Sequence, residues 1–213
     1  MAEADVYSIA ATTHGRVLVR RAAAPRRILA GFHGYLENAA IQLARLESIP
    51  GADRWTLVSV QALHRVYRGR TSEVVASWMT SQDRDDMMAD NVAYVASALN
   101  AATAGAAAPV VYAGFSQGVA MAFRAAVRLG GAGVIAVGGD VPPELLGDAS
   151  ATFPPVLVVR GERDDWYTPV KLDADLAALR ARGASVQSVV HGGGHEWNGE
   201  VSAAAARFVD RLV

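Results

Sequence analysis

The chain contains no cysteine among its 213 residues. This absence excludes disulfide bonds, thiolate nucleophiles and cysteine-ligated metals. No apolar run approaches the ~18 residues of a membrane-spanning helix, so we expect no stable membrane insertion. The first residues, MAEADVYSIAATTHGR, also lack the basic and apolar regions of a secretory signal, which predicts a cytoplasmic protein.

The sequence likewise has no excess charge of either sign. Its formal net charge is −1, and 19% of its residues are charged. This balance predicts binding to neither nucleic acid nor anionic lipid. A hydrophobic content of 52% over residues 1–213 is enough for one domain with a sizeable core and too little for two. The sequence does not indicate an oligomeric state.

Short β-branched segments alternate along the chain with alanine- and leucine-rich segments of helical periodicity. The predicted strands are 5–10, 16–20, 27–34, 55–62, 109–115, 133–139, 155–161 and 185–194, the first two forming an antiparallel start. The predicted helices are 39–49, 83–103, 117–129, 169–183 and 200–213. This alternation predicts an α/β protein with a mostly parallel sheet covered by helices on both faces. Functional sites in such sheets lie at the carboxyl ends of the strands.

The segment GFSQG places Ser116 between Gly114 and Gly118, directly after a predicted strand and before a predicted helix. A serine hydroxyl is a weak nucleophile unless a base activates it, and a tight strand-to-helix turn makes it project from the sheet. The helix N-terminus behind it offers N–H groups to a developing oxyanion. An ordinary turn serine is the alternative, and the strand and helix on either side favour a nucleophile.

A nucleophilic serine on such a strand-to-helix turn needs an acid and a base. They would follow it along the chain in the order nucleophile, acid and histidine. His195 lies in the glycine-rich loop after the last strand and satisfies that order, with His191 as the alternative. Asp164 and Asp165 are the main candidates for the acid, and Asp140 is a third. A metal site on the two histidines is disfavoured, because three glycines separate them and no helix presents both rings.

The sequence also suggests donors for an oxyanion hole and side chains for a pocket. The donors are the backbone N–H of Gln117 and that of Tyr35, in the loop FHGYLEN. A plain strand-to-helix loop with Asn38 as N-cap is the alternative there. Five side chains in predicted loops are candidates for the acyl pocket: Leu36, Trp78, Met79, Trp166 and Tyr167. Packing beneath the long helix is an equally good interpretation of the Trp-Met pair.

Four segments, FHGYLENA, YAGFSQGVAMAF, VLVVRGERDDWYTP and GGGHEW, together resemble the phospholipase/carboxylesterase family of small serine esterases. The resemblance implies an α/β-hydrolase fold without a large lid domain. It also implies specific roles for five residues, with Ser116 as nucleophile, Asp164 as acid, His195 as base, and Tyr35 and Gln117 as oxyanion donors. The sequence departs from the family in having one glycine after Ser-Gln and one extra residue before the proline of the acid loop.

These observations predict hydrolysis of carboxylic esters with small or medium acyl chains, through an acyl-enzyme on Ser116. No metal or organic cofactor is expected, and the partner is a small-molecule ester. Thioester hydrolysis or a lysophospholipase-type activity is an alternative, as is a non-catalytic binding protein of the same fold. A nucleotide-binding protein would need G-x-G-x-x-G after the first strand, which GFHGYLENA does not supply. The related dienelactone hydrolases are excluded because they use a cysteine.

Overall fold

The computed structural model describes residues 4–23 and 27–212. The strands are β1 (Arg16–Arg20), β2 (Ile28–Phe32), β3 (Thr56–Gln61), β4 (His64–Tyr67), β5 (Val74–Ser77), β6 (Val110–Phe115), β7 (Gly133–Val137), β8 (Val156–Gly161) and β9 (Val186–His191). The helices are α1 (Ala39–Glu47), α2 (Arg84–Thr103), α3 (Gln117–Leu129), α4 (Pro143–Gly147), α5 (Pro169–Ala181) and α6 (Gly199–Arg211), and Ala52–Arg54 forms a 3₁₀ turn.

A 7-stranded sheet in the order β1-β3-β2-β6-β7-β8-β9 forms the centre of the protein. β1 pairs antiparallel with β3, and all other neighbours in this sheet pair parallel. This is the mostly parallel sheet that the alternation of segments predicts, in the α/β-hydrolase arrangement that the family resemblance implies. Within the described residues, no large lid domain is inserted between the strands.

The helices cover both faces of the sheet because successive strand residues point to opposite faces. In β6, Tyr112 packs into the core beneath α2, α3 and α5, whereas Val111 and Ala113 pack beneath α1 and α6. Both faces are therefore apolar, and polar groups concentrate at the strand ends. The carboxyl ends of β2, β6, β7, β8 and β9 all lie at one edge.

Two predictions about secondary structure are wrong. Residues 5–10 form no strand, and the apolar side chains of Val6, Tyr7 and Ile9 are exposed there, because no neighbouring strand pairs with them. The sequence predicts no strand or helix between residues 63 and 82, but β4 and β5 form an antiparallel hairpin there. The residues of β4 are all exposed, so the strand lacks the buried alternation that reveals most strands in a sequence.

The first turn of α3 lies unusually close to the sheet. A Cβ atom at Gly118 would lie 2.1 Å from the carbonyl oxygen of Phe32 in β2, and one at Gly114 would lie 2.4 Å from the carbonyl oxygen of Gly118. Both contacts are to backbone atoms, which cannot move aside as a flexible side chain can. Glycine at these two positions therefore allows α3 to begin directly against the ends of β2 and β6.

None of the helices formed by residues 4–23 and 27–212 is long and apolar enough to cross a membrane.

Substitution of Gly118 by alanine tests this close packing. We expect Gly118→Ala to lower the free energy of unfolding by about 2 kcal/mol or more, since overpacking against backbone forces the helix away from the sheet. Urea denaturation measures the change. Gly147→Ala is the matched control, because a Cβ there meets no atom within 4 Å. Equal stability of the two variants would contradict the packing described.

Candidate active site

Ser116 lies at the junction of β6 and α3 with a backbone conformation that few non-glycine residues adopt. Its φ of 53° and ψ of −120° reverse the chain between the strand and the helix. The Ser116 N–H donates to the Val137 carbonyl at 2.9 Å, and its carbonyl accepts from the Val119 N–H at 3.0 Å. Neighbouring strand and helix thus hold the strained residue in place, as in the sharp turns that present nucleophilic serines.

His195 and Asp164 form a hydrogen-bonded pair at the ends of β8 and β9. Nδ1 of His195 lies 2.8 Å from Oδ2 of Asp164. The Asp164 side chain is 1% exposed and the His195 side chain is 30% exposed. A carboxylate accepts, so Nδ1 carries the proton and Nε2 is left as a base. Asp165 is exposed, so of the two neighbouring aspartates it is Asp164 that contacts the histidine.

The loop that carries Asp164 is held by hydrogen bonds on both sides of the carboxylate. Oδ1 of Asp164 accepts from the backbone N–H groups of Trp166 and Tyr167, both at 2.9 Å. Beneath the loop, the buried guanidinium of Arg160 donates to the carbonyls of Tyr167 at 2.7 Å, Asp164 at 3.2 Å and Glu162 at 3.2 Å. The buried carboxylate therefore has fixed partners and a fixed direction toward the histidine.

The glycine-rich loop that carries His195 packs directly onto the acid loop. The Arg163 N–H donates to the Gly193 carbonyl at 2.9 Å. A Cβ at Gly161 would lie 2.0 Å from the Gly194 carbonyl oxygen, so glycine at the end of β8 permits the approach. His191 is buried, and its Nδ1 accepts from the Gly193 N–H and from Nδ2 of Asn198, both at 3.0 Å. His191 thus supports the loop, and its Nδ1 is engaged within it.

The imidazole of His195 lies beside the serine turn. Its ring centroid is 5.0 Å from that of Phe115, the residue before Ser116. A Cβ at Gly138 would lie 3.1 Å from the His195 ring, and one at Gly139 would lie 2.5 Å from the Ser116 carbonyl oxygen. Within the described part of the chain, no hydrogen bond joins the Ser116 hydroxyl to His195. Such bonds are often long in unliganded hydrolases and shorten when substrate binds.

The loop after β2 leaves the Tyr35 N–H free. The Gly34 N–H donates to Oε2 of Glu37 at 2.8 Å, the Glu37 N–H donates to the Gly34 carbonyl, and the Leu36 N–H donates to the Ala76 carbonyl. Among residues 4–23 and 27–212, no acceptor binds the Tyr35 N–H. Gln117 begins α3, where the first N–H groups of a helix have no partner within it.

An ion pair holds this loop against the serine turn. Arg45 of α1 contacts the Glu37 carboxylate at 2.5 and 2.7 Å, and its guanidinium lies 4.0 Å from the ring centroid of Phe115. Burial raises the pKa of Glu37, but the hydrogen bond and charge of Arg45 outweigh it, so the pKa is lower than that of an ordinary glutamate. The ionised pair therefore fixes the loop that presents the Tyr35 N–H.

The side chain of Gln117 ties α3 to the end of the hairpin. Its Oε1 accepts from the Trp78 N–H at 3.0 Å, and its Nε2 donates to the Met79 carbonyl at 3.1 Å. Ser77 completes this contact through its hydroxyl, 3.2 Å from Nε2. The hairpin missed at the sequence level thus positions both the Tyr35 loop, through Ala76, and the residue that follows the serine.

A cleft of about 420 Å³ opens beside Ser116. It is lined by Tyr35, Met79, Arg84, Ser116, Gln117, Ala120, Arg124, Trp166 and residues 139–143. Of the five predicted pocket residues, Met79 and Trp166 line this cleft. Leu36 is half-buried outside the lining and has a φ of 54°.

The structure places Trp78 and Tyr167 in the core instead of in the pocket wall. Both side chains are fully buried. Nε1 of Trp78 donates to the His33 carbonyl at 2.8 Å, and the Tyr167 hydroxyl donates to Oδ2 of Asp175 at 2.8 Å. Their aromatic rings pack while their polar atoms are satisfied internally, so they position the loops on either side of the cleft. The alternative of packing beneath the long helix thus describes Trp78 and not Met79.

Sequence reasoning missed the supporting residues Glu37, Arg45 and Arg160. Arg160 had a signal, because it is the charged residue at the end of the otherwise apolar strand VLVVRG. Glu37 and Arg45 had none, since their pairing depends on how the loop folds back on α1. Asn38, the N-cap named in the alternative interpretation of the Tyr35 loop, does cap α1, because its side chain accepts from the N–H groups of Ala40 and Ile41.

His33 connects the Tyr35 loop to β3 and is fully buried. Its Nδ1 donates to the Gly34 carbonyl at 2.8 Å, and its Nε2 accepts from the Ala62 N–H at 3.0 Å. Burial lowers the pKa of His33 below its ordinary value of 6.5, although the bond to Gly34 opposes this shift. The ring is therefore neutral, and it serves as a structural link and not as a base.

Comparison with known proteins shows the fold more clearly than the sequence does. No protein-family model matches the chain, and no curated protein matches it. Several solved structures are similar to it. The crystal structure of esterase PE8 has a TM-score of 0.71 and 24% identity, covering 93% of this chain and 98% of that one. Acyl-protein thioesterase 2 of Zea mays has a TM-score of 0.71 and 21% identity, covering 93% and 99%.

A third similar structure is the carboxylesterase of Bacillus cereus, with a TM-score of 0.71 and 15% identity, covering 93% of this chain and 95% of that one. The three known structures have the α/β-hydrolase fold in common with this chain. At these identities the likeness shows the architecture, and the chemistry has to be argued from the site itself.

The buried neutral state of His33 predicts a pH dependence of stability. As the pH falls below 6.5, the unfolded chain takes up a proton that the folded chain excludes, so the free energy of unfolding falls by up to about 1.4 kcal/mol per pH unit from this group. His33→Gln should show a smaller slope between pH 7 and pH 5 in urea denaturation. His64→Gln, at an exposed histidine, should keep the wild-type slope. An unchanged slope in His33→Gln would contradict this account.

Proposed function

We propose that this chain, which has the α/β-hydrolase fold, is a serine hydrolase that cleaves carboxylic esters of small or medium acyl chain through an acyl-enzyme on Ser116. The observation that carries the proposal is the strained Ser116 at the start of α3, with the Asp164-bound His195 in the loop beside it. A positive φ at a serine and a buried carboxylate aimed at a histidine both cost stability, and catalysis explains both.

The first chemical step follows from the state of His195. With Nδ1 donating to Asp164, Nε2 accepts the Ser116 proton while the serine oxygen bonds to the ester carbonyl carbon. The carbonyl oxygen becomes an oxyanion, which the N–H groups of Tyr35 and Gln117 stabilise. The negative charge of Asp164 stabilises the imidazolium through Oδ2. Its other oxygen, Oδ1, accepts from two backbone N–H groups, which keep the carboxylate in place.

His195 then acts as an acid while the acyl-enzyme forms and as a base while it is hydrolysed. His195 gives its proton to the leaving alcohol oxygen as the carbon–oxygen bond of the ester breaks. A water molecule next loses a proton to Nε2 and attacks the acyl carbonyl, and the acid leaves as Ser116 regains its proton. Every proton in this cycle passes through one nitrogen, so the orientation of the His195 ring determines the rate.

The cleft supports a small or medium acyl chain. Its volume of about 420 Å³ is near the lower end of ligand pockets in general. Met79 and Trp166 offer apolar surface to the substrate, and in the described residues no lid covers it. Thioesters are a second candidate class, which the structural likeness to the Zea mays acyl-protein thioesterase favours, because the acyl-enzyme chemistry is shared and only the leaving group differs.

The nucleophile is tested by Ser116→Ala. We expect kcat for 4-nitrophenyl butyrate to fall by roughly 10⁴-fold or more, because no other hydroxyl lies on this turn. Circular dichroism and urea denaturation should show a folded protein. Retention of wild-type turnover in this variant would remove Ser116 from the reaction.

The acid is tested by a pair of neighbouring variants. Asp164→Asn should lower kcat by roughly 10³-fold to 10⁴-fold, since an amide does not hold the histidine in the reactive tautomer. Asp165→Asn removes the same charge at an exposed position and should leave kcat within about twofold of wild type. Comparable losses in both variants would show that general electrostatics, and not the contact with His195, carries the effect.

A further inference from the structure

Two arginines line the cleft beside Ser116, and they share one carboxylate. Arg84 and Arg124 both form part of the cleft wall, and both contact Glu144, which lies outside the lining. We propose that this part of the cleft is a binding subsite for an anionic group, so that the favoured ester carries a carboxylate or a similar anion remote from the scissile bond. The inference rests on the proposed function and specifies its substrate class.

Arg124 is a buried cation whose hydrogen bonds are only partly satisfied. Nε and Nη2 contact Oε1 of Glu144 at 2.8 and 2.7 Å. Nη1 has a single partner among the described residues, the Met79 thioether sulfur at 3.8 Å, and a thioether is a weak acceptor. The side chain is 4% exposed. Burial of a charge requires compensating acceptors, and an anion in the cleft would supply the missing one.

Glu144 cannot neutralise both arginines. Its carboxylate lies 3.3 Å from Nη2 of Arg84, in addition to its contacts with Arg124. Burial raises the pKa of Glu144, but hydrogen bonds and the charges of Arg124 and Arg84 outweigh it, so the pKa is lower than usual and the group is ionised. Two positive charges against one negative charge leave an excess of one positive charge at the wall.

The other charged groups near the cleft do not cancel this excess. Asp140 also lines it, but its carboxylate pairs with Nζ of Lys171 at 3.1 Å. Asp85 and Asp86 follow Arg84 in α2 without lining the cleft, and Asp86 accepts from the Ser8 hydroxyl. A free guanidinium charge at a partly buried cleft therefore faces the substrate.

Helix α3 sets the distance between this charge and the reacting serine. Ser116, Ala120 and Arg124 all line the cleft and are four residues apart, so they lie along one face of the helix. Eight residues of helix span about 12 Å, and the long arginine side chain covers part of that length. The small side chain of Ala120 leaves the space between them open to a substrate chain.

The chemical class follows from these positions. An arginine guanidinium binds carboxylates and phosphates through paired hydrogen bonds. The anion would be joined to the ester by a chain of several carbons, on either the acyl or the alcohol side. A monoester of a medium-length dicarboxylic acid is the simplest molecule with these features.

The test compares charged and neutral esters of equal length on both sides of the scissile bond. The acyl-side pair is the mono-4-nitrophenyl ester of adipic acid and its methyl ester. The alcohol-side pair is the butyrate ester of 4-hydroxybenzoate and that of its methyl ester. We expect the charged-to-neutral ratio of kcat/KM to fall about tenfold in Arg84→Gln for one of the pairs, because a charge-assisted hydrogen bond is lost.

Arg128→Gln is the matched control, since Arg128 lies one turn beyond Arg124 in α3 and pairs with Asp148 at 2.8 Å, outside the cleft. It should leave both ratios unchanged. If the ratio in Arg84→Gln equals the wild-type ratio for both pairs, or falls equally in Arg128→Gln, the subsite does not exist. Absence of wild-type turnover on the neutral esters would instead refute the esterase itself, so the two failures are distinguishable.

Discussion

The backbone of Ser116 is the constraint on which the rest of the site depends. Its φ of 53° turns the chain from β6 into α3 within one residue, and this turn is possible because Gly114 and Gly118 let the helix begin against the strands. The strain is held by two ordinary hydrogen bonds and by the packing of α3 in the core. The start of α3 then leaves the half-buried Ser116 hydroxyl beside the cleft and an N–H without a helical partner, the two groups that the proposed acyl transfer requires.

Around this turn, buried and half-buried charges hold the loops that carry Tyr35 and Asp164. Glu37 and Arg45 hold the loop of Tyr35, and Arg160 holds the loop of Asp164. Each of these charges is paired or bonded to backbone carbonyls, as burial requires. The more exposed member of the Asp164–His195 pair is His195, the group that the proposed mechanism requires to move protons. Positioning and chemistry are therefore assigned to different residues.

The sequence predicts the fold and the main site residues because both have local signals. Apolar strands, helical periodicity and the glycines around Ser116 each extend over a few residues, and the chain order of Asp164 and His195 is visible without a structure. The hairpin β4–β5, the Glu37–Arg45 pair and the burial of Trp78 and Tyr167 depend on contacts between distant segments. No local pattern encodes them, and the same holds for the two arginines that meet at Glu144.

The most direct test of the central claim is covalent labelling. A fluorophosphonate should modify Ser116 alone, because only this hydroxyl combines the strained turn with the Asp164-bound His195, and peptide mass spectrometry locates the adduct. His195→Ala should slow labelling by at least about a hundredfold. Labelling confined to Ser116 and dependent on His195 is the result that this account predicts. An unlabelled protein, or an adduct on another residue at an equal rate, would contradict it.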